Sequence, residues 1–261
     1  MWYRMSGLLL RHLYLYRRSI SRIMEIVFWP VMSLMVWGFL SQYLKTKDLP
    51  VAVNYLLGAM ILWELLYRSQ QSITLSLTEE FWVKNIVNLF VAPLRTIELV
   101  LTLCIIGLLK SLTAMLFLGV LAWYLYHFNI LVMGTGLVFF FGNLILFGWS
   151  VGMVTMSLIL RFGHAAEALI WGVPFLIQPI SAVFYPVDVL PAWLKTIALL
   201  LPCTHIFEGM RTVLNTGQTD SAMLAYAFGL NLIYLAGAAL FFLWMLHQAR
   251  VRGYLSRSNI E

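Results

Sequence analysis

Charge is scarce along this chain. Only 11% of its 261 residues are charged while 62% are apolar, against a charged fraction of about 25% in soluble globular domains. The expected fold class is therefore an all-α polytopic membrane protein with no soluble domain. Cysteine is nearly missing too: Cys104 and Cys203 build no disulfide framework and leave the redox compartment open. No Gly-x-x-x-x-Gly-Lys phosphate loop occurs, which excludes nucleotide binding by that route. His12, His127, His164, His205 and His247 never fall in a His-Glu-x-x-His pattern. His205 with Glu208 offers two candidate ligands where a zinc site needs three or four, so no metal and no cofactor is expected on this chain. There is no Gly-x-Ser-x-Gly elbow to support an enzyme. Neither an inverted repeat nor a low-complexity stretch is visible. The net charge of +6 sits at the ends of apolar runs, as membrane orientation requires, so nucleic acid is not an expected partner.

What is present is a series of long apolar runs. Residues 1–22 interleave five arginines with Trp2, Tyr3, Leu8 to Leu10, Leu13, Tyr14 and Tyr16, a pattern suited to an amphipathic helix in the membrane interface. A basic flank that merely fixes orientation is the plainer alternative. No small-residue cleavage site follows, so the next run is expected to be a retained span. Spans are expected at 23–44, where Pro30 introduces a kink, and at 51–77, 98–126, 130–160, 165–185 and 222–246. Between the second and third spans, residues 78–95 read as a short amphipathic helix stopped by Pro93. Residues 186–221 are apolar but carry Asp188, Lys195 and several prolines, and read as an outward re-entrant region of broken helices. If the six spans alternate, eleven basic residues lie on the side of both termini and four on the other, which places both termini in the cytoplasm.

The chain shows a basic amphipathic N-terminal helix, six spans with a helix ending in Ala92-Pro93-Leu94 between the second and third, and, before the last span, Phe184-Tyr185-Pro186, Leu190-Pro191-x-Trp193, Leu201-Pro202 and Glu208-Gly209-x-Arg211. In that order they resemble the permease subunits of ABC transporters of the type 2 exporter class. The resemblance covers nearly the whole chain. It implies a half-transporter of a bacterial inner membrane, in which two copies of the permease pair with two copies of a separate ABC ATPase that carries the ATP and Mg. Membrane lipids surround it, and the cargo would be a lipid, a glycolipid-linked polysaccharide or a drug-like amphipathic molecule. An ion-coupled secondary carrier and an intramembrane enzyme acting on lipid-linked substrates are the alternatives from other classes.

Several residues are candidates for that work. By the resemblance Glu79, Glu80, Phe81, Trp82 and Lys84 couple the permease to the ATPase, and the acids at the start of a helix suit its dipole; an ordinary interfacial helix is the alternative. Glu64 and Arg68 are four apart in the second span, on one helical face, as a structural pair or as part of a substrate path. Lys110 lies near the middle of the third span, either pairing with Glu64 across helices or holding an anionic headgroup. Tyr185, Pro186, Leu190, Pro191, Trp193, Glu208 and Arg211 form the expected outward gate, with Glu208 and Arg211 as an anchoring pair. Trp37, Trp63, Tyr67 and other aromatics fit interface belts or bundle packing, and only position would mark a conduit. Gly134, Gly136, Gly142, Gly148 and Gly152 offer small surfaces to a permease dimer seam or to packing within one subunit.

Overall fold

The computed structural model describes residues 2–47, 50–82 and 95–252. Among them are nine α-helices: α1 Trp2–Arg18, α2 Ile20–Lys45, α3 Pro50–Trp82, α4 Thr96–Tyr126, α5 Gly136–Phe162, α6 Ala168–Ile180, α7 Ala192–Leu200, α8 Pro202–Thr216 and α9 Ser221–Val251. Short 3-10 turns lie at Ile130–Met133, Gly163–Ala166 and Val187–Val189, and no strand occurs among the described residues. Part of α2 (Val27–Lys45), α4, α5 and α9 are long and apolar enough to cross a membrane.

The helix ends follow local chemistry. The Glu98 carboxylate accepts the Arg95 backbone N–H at 2.9 Å at the start of α4, and α4 stops where His127 turns left-handed at φ 55°. Asp220 opens α9 by accepting the N–H groups of Ala222 and Met223, each at 3.0 Å. Glycines in positive φ end α5 at Gly163 and α8 at Gly217.

The central helix is α3, packed against α2, α4 and α5. Its 33 residues span about 50 Å at ~1.5 Å per residue. It is too polar to count among the membrane-crossing helices by composition, yet Arg68, Ser69, Gln70, Gln71, Ser72, Thr74, Ser76 and Thr78 are all buried. Neighbouring helices satisfy much of this stripe: Ser69 donates to the Ile145 carbonyl at 3.1 Å and Thr74 to the Gly152 carbonyl at 3.4 Å. Small residues on α5 allow the close approach. A Cβ on Gly148 would stand 2.8 Å from the Leu66 carbonyl oxygen, and one on Gly152 2.9 Å from that of Gln70. These two glycines therefore serve packing within one subunit, not a dimer seam. Gly134 turns the chain at φ 53°, and Gly142 faces open space.

Two boundaries differ from the sequence expectation. The second helix continues through residues 78–82 instead of yielding to a separate helix, because nothing between Leu77 and Trp82 breaks it; residues 83–94 lie outside the described residues. The helix of the expected 165–185 span covers only Ala168–Ile180, about 20 Å at ~1.5 Å per residue and short of a hydrocarbon core roughly 30 Å thick. Pro174 and Pro179 each remove a ladder hydrogen bond there. The Ile170 carbonyl, which Pro174 leaves unserved, accepts instead from Gln70 Nε2 of α3 at 3.4 Å. Within the stretch expected to hold broken helices, residues 192–216 fold as two helices meeting at 97°, with Pro202 at the corner. Lastly, α1 does not stand apart from the bundle. Arg4 meets Glu98 at 3.6 Å and Tyr16 meets Lys110, twelve residues further on in both helices, so α1 runs alongside α4 in the same direction.

Candidate functional site

A cavity of about 670 Å³ opens between α2, α3 and α6. Its walls are aromatic: Trp29 and Trp37 from α2, Trp63 and Tyr67 from α3, Trp171 and Phe175 from α6, and Phe184 from the segment after α6. Trp37 and Phe184 stack with ring centroids 3.9 Å apart, closing one end. Trp29, Trp171 and Phe175 remain exposed at 62%, 43% and 61%, so the cavity opens sideways between α2 and α6.

The floor of the cavity is charged. Glu64 and Arg68 line it, both buried, and Arg68 Nε donates to Glu64 Oε2 at 3.2 Å. Arg68 Nη1 reaches Gln71 Oε1 at 3.4 Å, while Nη2 has no hydrogen-bond partner. The i,i+4 spacing forms the pair, and burial forces it, because an isolated ion would pay an uncompensated desolvation cost. Pairing leaves the site nearly neutral, with one buried guanidinium nitrogen that has no hydrogen-bond partner. Lys110 is not part of it: Glu64 is taken by Arg68, and the Lys110 ammonium lies 4.3 Å over the Tyr16 ring of α1. The cross-helix Lys110–Glu64 pair is thereby corrected.

The end of α3 carries the expected coupling residues, and they point in different directions. Glu80 is buried and paired with Arg11 of α1 at 2.6 Å, so it faces inward and not toward a docking partner. Trp82 Nε1 donates to Glu167 Oε1 at 2.7 Å, tying the end of α3 to the start of α6. Glu79 is half-buried. Lys84 and the Phe81 side chain lie outside the described residues. Nearby, His12 is buried with Nδ1 donating to the Leu8 carbonyl at 2.9 Å; burial, followed by the charges of Lys110 and Arg11, holds its imidazole below the usual range.

The Glu208 and Arg211 side chains do meet, at 3.3 Å, and they bind a loop. Glu208 Oε1 accepts the Val187 N–H at 2.6 Å, and Arg211 Nη2 donates to the carbonyls of Ala182, Val183 and Tyr185. The loop includes Ala182 at φ 51°, a left-handed conformation that an alanine adopts only under constraint. Pro186 leads into the Val187–Val189 turn and Pro191 into α7, with Leu190 between them. Trp193 points outward at 67% exposure, away from this cluster. Lys195 and Asp188 form an exposed pair of small energetic weight.

Sequence reasoning missed most of the cavity wall: Trp29, Ser33, Trp171, Phe175, Gln178 and Phe184 were not singled out for it. The run Arg68-Ser69-Gln70-Gln71-Ser72, polar inside an apolar segment, was the available signal for its floor.

The described residues are helical, and four of their helices are long and apolar enough to cross a membrane. A family model described as ABC-2 family transporter protein matches residues 23–246, and the chain belongs to that family. It is a transmembrane subunit of an ABC transporter, an integral membrane protein whose family is a transport component. No curated protein matches the sequence.

Proposed function

We propose that the chain is the membrane half of an ATP-driven exporter and that the cavity between α2, α3 and α6 is where it holds an amphipathic cargo. In this reading six segments span a bacterial inner membrane with both termini in the cytoplasm, two copies assemble with two ABC ATPase subunits, and ATP and Mg stay on those partners. The observation that carries it is the pairing of seven aromatic rings with a buried Arg68 that retains an unpartnered nitrogen. Flat rings accept apolar or ring-bearing cargo, and the polar side chains of the lining, Ser33, Gln71 and Gln178 with Arg68, orient it.

The connectivity supplies a route for coupling. From Trp82 to Arg68 is fourteen residues of continuous helix, about 21 Å at ~1.5 Å per residue. The Trp82–Glu167 hydrogen bond joins α3 and α6, two walls of the cavity, at their shared end. A force applied beside Trp82 thus reaches both walls, and repacking the rings around Arg68 would change cargo affinity between two states. The ion pair at Glu208 and Arg211, holding the loop after α6, is the bistable contact at the far end.

The test is co-purification of the tagged chain from native membranes, followed by reconstitution and an ATPase assay with candidate lipids. The expected result is an ATP-hydrolysing subunit in equal stoichiometry, stimulated by cargo, with Arg68→Met keeping the partner but losing the stimulation. Transport by the purified chain alone, without ATP, would overturn the reading.

A further inference from the structure

Pro179 and Pro186 bound the loop after α6, each without an N–H to donate, and Pro186 also disfavours helical backbone at Tyr185. The loop carbonyls between them therefore need donors from elsewhere. Arg211 of α8 supplies these through Nη2, to Ala182, Val183 and Tyr185. Glu208 Oε1 takes the Val187 N–H at 2.6 Å, and the Tyr185 hydroxyl returns to the Pro179 carbonyl at 2.5 Å. The backbone is thus clamped on both sides of Phe184. Its side chain leaves the clamp and is the one group of this loop that lines the aromatic cavity.

Across the cavity stands Trp37 of α2. The two rings lie 3.9 Å apart, centroid to centroid, with their planes 18° from parallel. Such a stack shifts an equilibrium by about two- to ten-fold beyond the area it buries, enough to favour contact without making it permanent. The clamp behind it is harder to release, because a buried guanidinium serving Glu208 and three carbonyls would leave all of them uncompensated. Below the loop, α6 is jointed. Gln70 of α3 holds the Ile170 carbonyl at 3.4 Å and so fixes the helix before Pro174, whereas Pro174 and Pro179 each remove a ladder hydrogen bond. The ring stack is the weak contact and the clamp the strong one, so the ring is the part that moves.

We propose that Phe184 is the plug of the aromatic cavity: stacked on Trp37, it separates the cavity from the water on the side that the loop after α6 faces, and Arg211 is the positioning residue that holds it there. Its part in export rests on the reading of the cavity as the cargo site, but the seal itself is a property of this chain alone. Cargo passing that end of the cavity has to part the two rings, and an aromatic cargo can take the place of one of them.

The experiment measures access to a thiol placed inside the cavity. Ser33, which lines it, is replaced by cysteine in a full chain carrying Cys104→Ala and Cys203→Ser. Membrane vesicles of both orientations then receive either a sulfonated, membrane-impermeant maleimide or the permeant N-ethylmaleimide. The parent should react slowly with the impermeant reagent from the side the loop faces. Phe184→Ala and Trp37→Ala should each raise that rate about ten-fold, from one side of the membrane only, while Phe184→Trp keeps it slow. Arg211→Met should raise it too, with Arg211→Lys in between. The N-ethylmaleimide rate should stay level in all of them, because it reports the environment of the thiol, which a general loosening of the fold would change. A parent already labelled fast from both sides, an unchanged impermeant rate in Phe184→Ala, or a Phe184→Trp chain as reactive as Phe184→Ala overturns the proposal. Neither cargo nor ATPase enters the assay, so failure of the seal and failure of the cargo reading are observed separately.

Discussion

Replacing Arg211 with methionine removes the side chain that ties α8 to the loop after α6. Arg211 is 5% exposed, and its fork serves Glu208 together with the carbonyls of Ala182, Val183 and Tyr185. Breaking a buried ion pair from one side costs about 3–5 kcal/mol, because the remaining partners lose their compensation. Glu208 keeps the Val187 N–H and its side chain is 23% exposed, so the lower end applies. At about 2–4 °C per kcal/mol for a chain of this size, a loss of about 3 kcal/mol lowers the melting temperature by roughly 6–12 °C. Arg211→Lys keeps the charge but cannot reproduce the fork, and should fall between the two. Intrinsic fluorescence of the purified protein during heating reads all three. A methionine variant melting within about 2 °C of wild type would mean that the contacts around Ala182 are not what holds the loop, and the structural basis for an outward gate there would fail.

Two further outcomes follow from the packing. On α5, Gly152→Ala should destabilise the protein by about 1–2 kcal/mol, since its Cβ meets the backbone of α3, whereas Gly142→Ala should stabilise by up to about 1 kcal/mol through helix propensity alone; comparing their thermal unfolding checks both. The docking of α1 should weaken on acidification. His12 is held below its ordinary value of 6.5 by burial, with Lys110 and Arg11 adding to the effect and Glu80 and the Leu8 carbonyl opposing it. The neutral form is thus favoured in the docked helix, and the stability it contributes is present above the ordinary value and lost as pH falls below it. Thermal unfolding between about pH 7.5 and about pH 5.5 should show this slope, and His12→Gln should flatten it.

The sequence by itself determined that this is a helical membrane protein, because continuous apolar runs of about 20 residues satisfy their backbone polar groups in a bilayer as helices, whereas barrel strands alternate apolar and polar residues. It also placed the chain break near Pro202 and the Glu208–Arg211 contact, since proline chemistry and a three-residue spacing are local properties. The Glu64–Arg68 pair was legible for the same reason. What lay beyond it was every feature made by two distant segments. Nothing local says that Trp29 and Trp171, far apart in the chain, face each other across one cavity, that Glu80 turns inward to Arg11, or that Lys110 lies over Tyr16 and not against Glu64. The polar run after Arg68 announced a buried surface without saying what would cover it. Only the tertiary structure decides such contacts, because helix periodicity fixes which residues share a face while the choice of neighbouring helix comes from packing across the whole bundle.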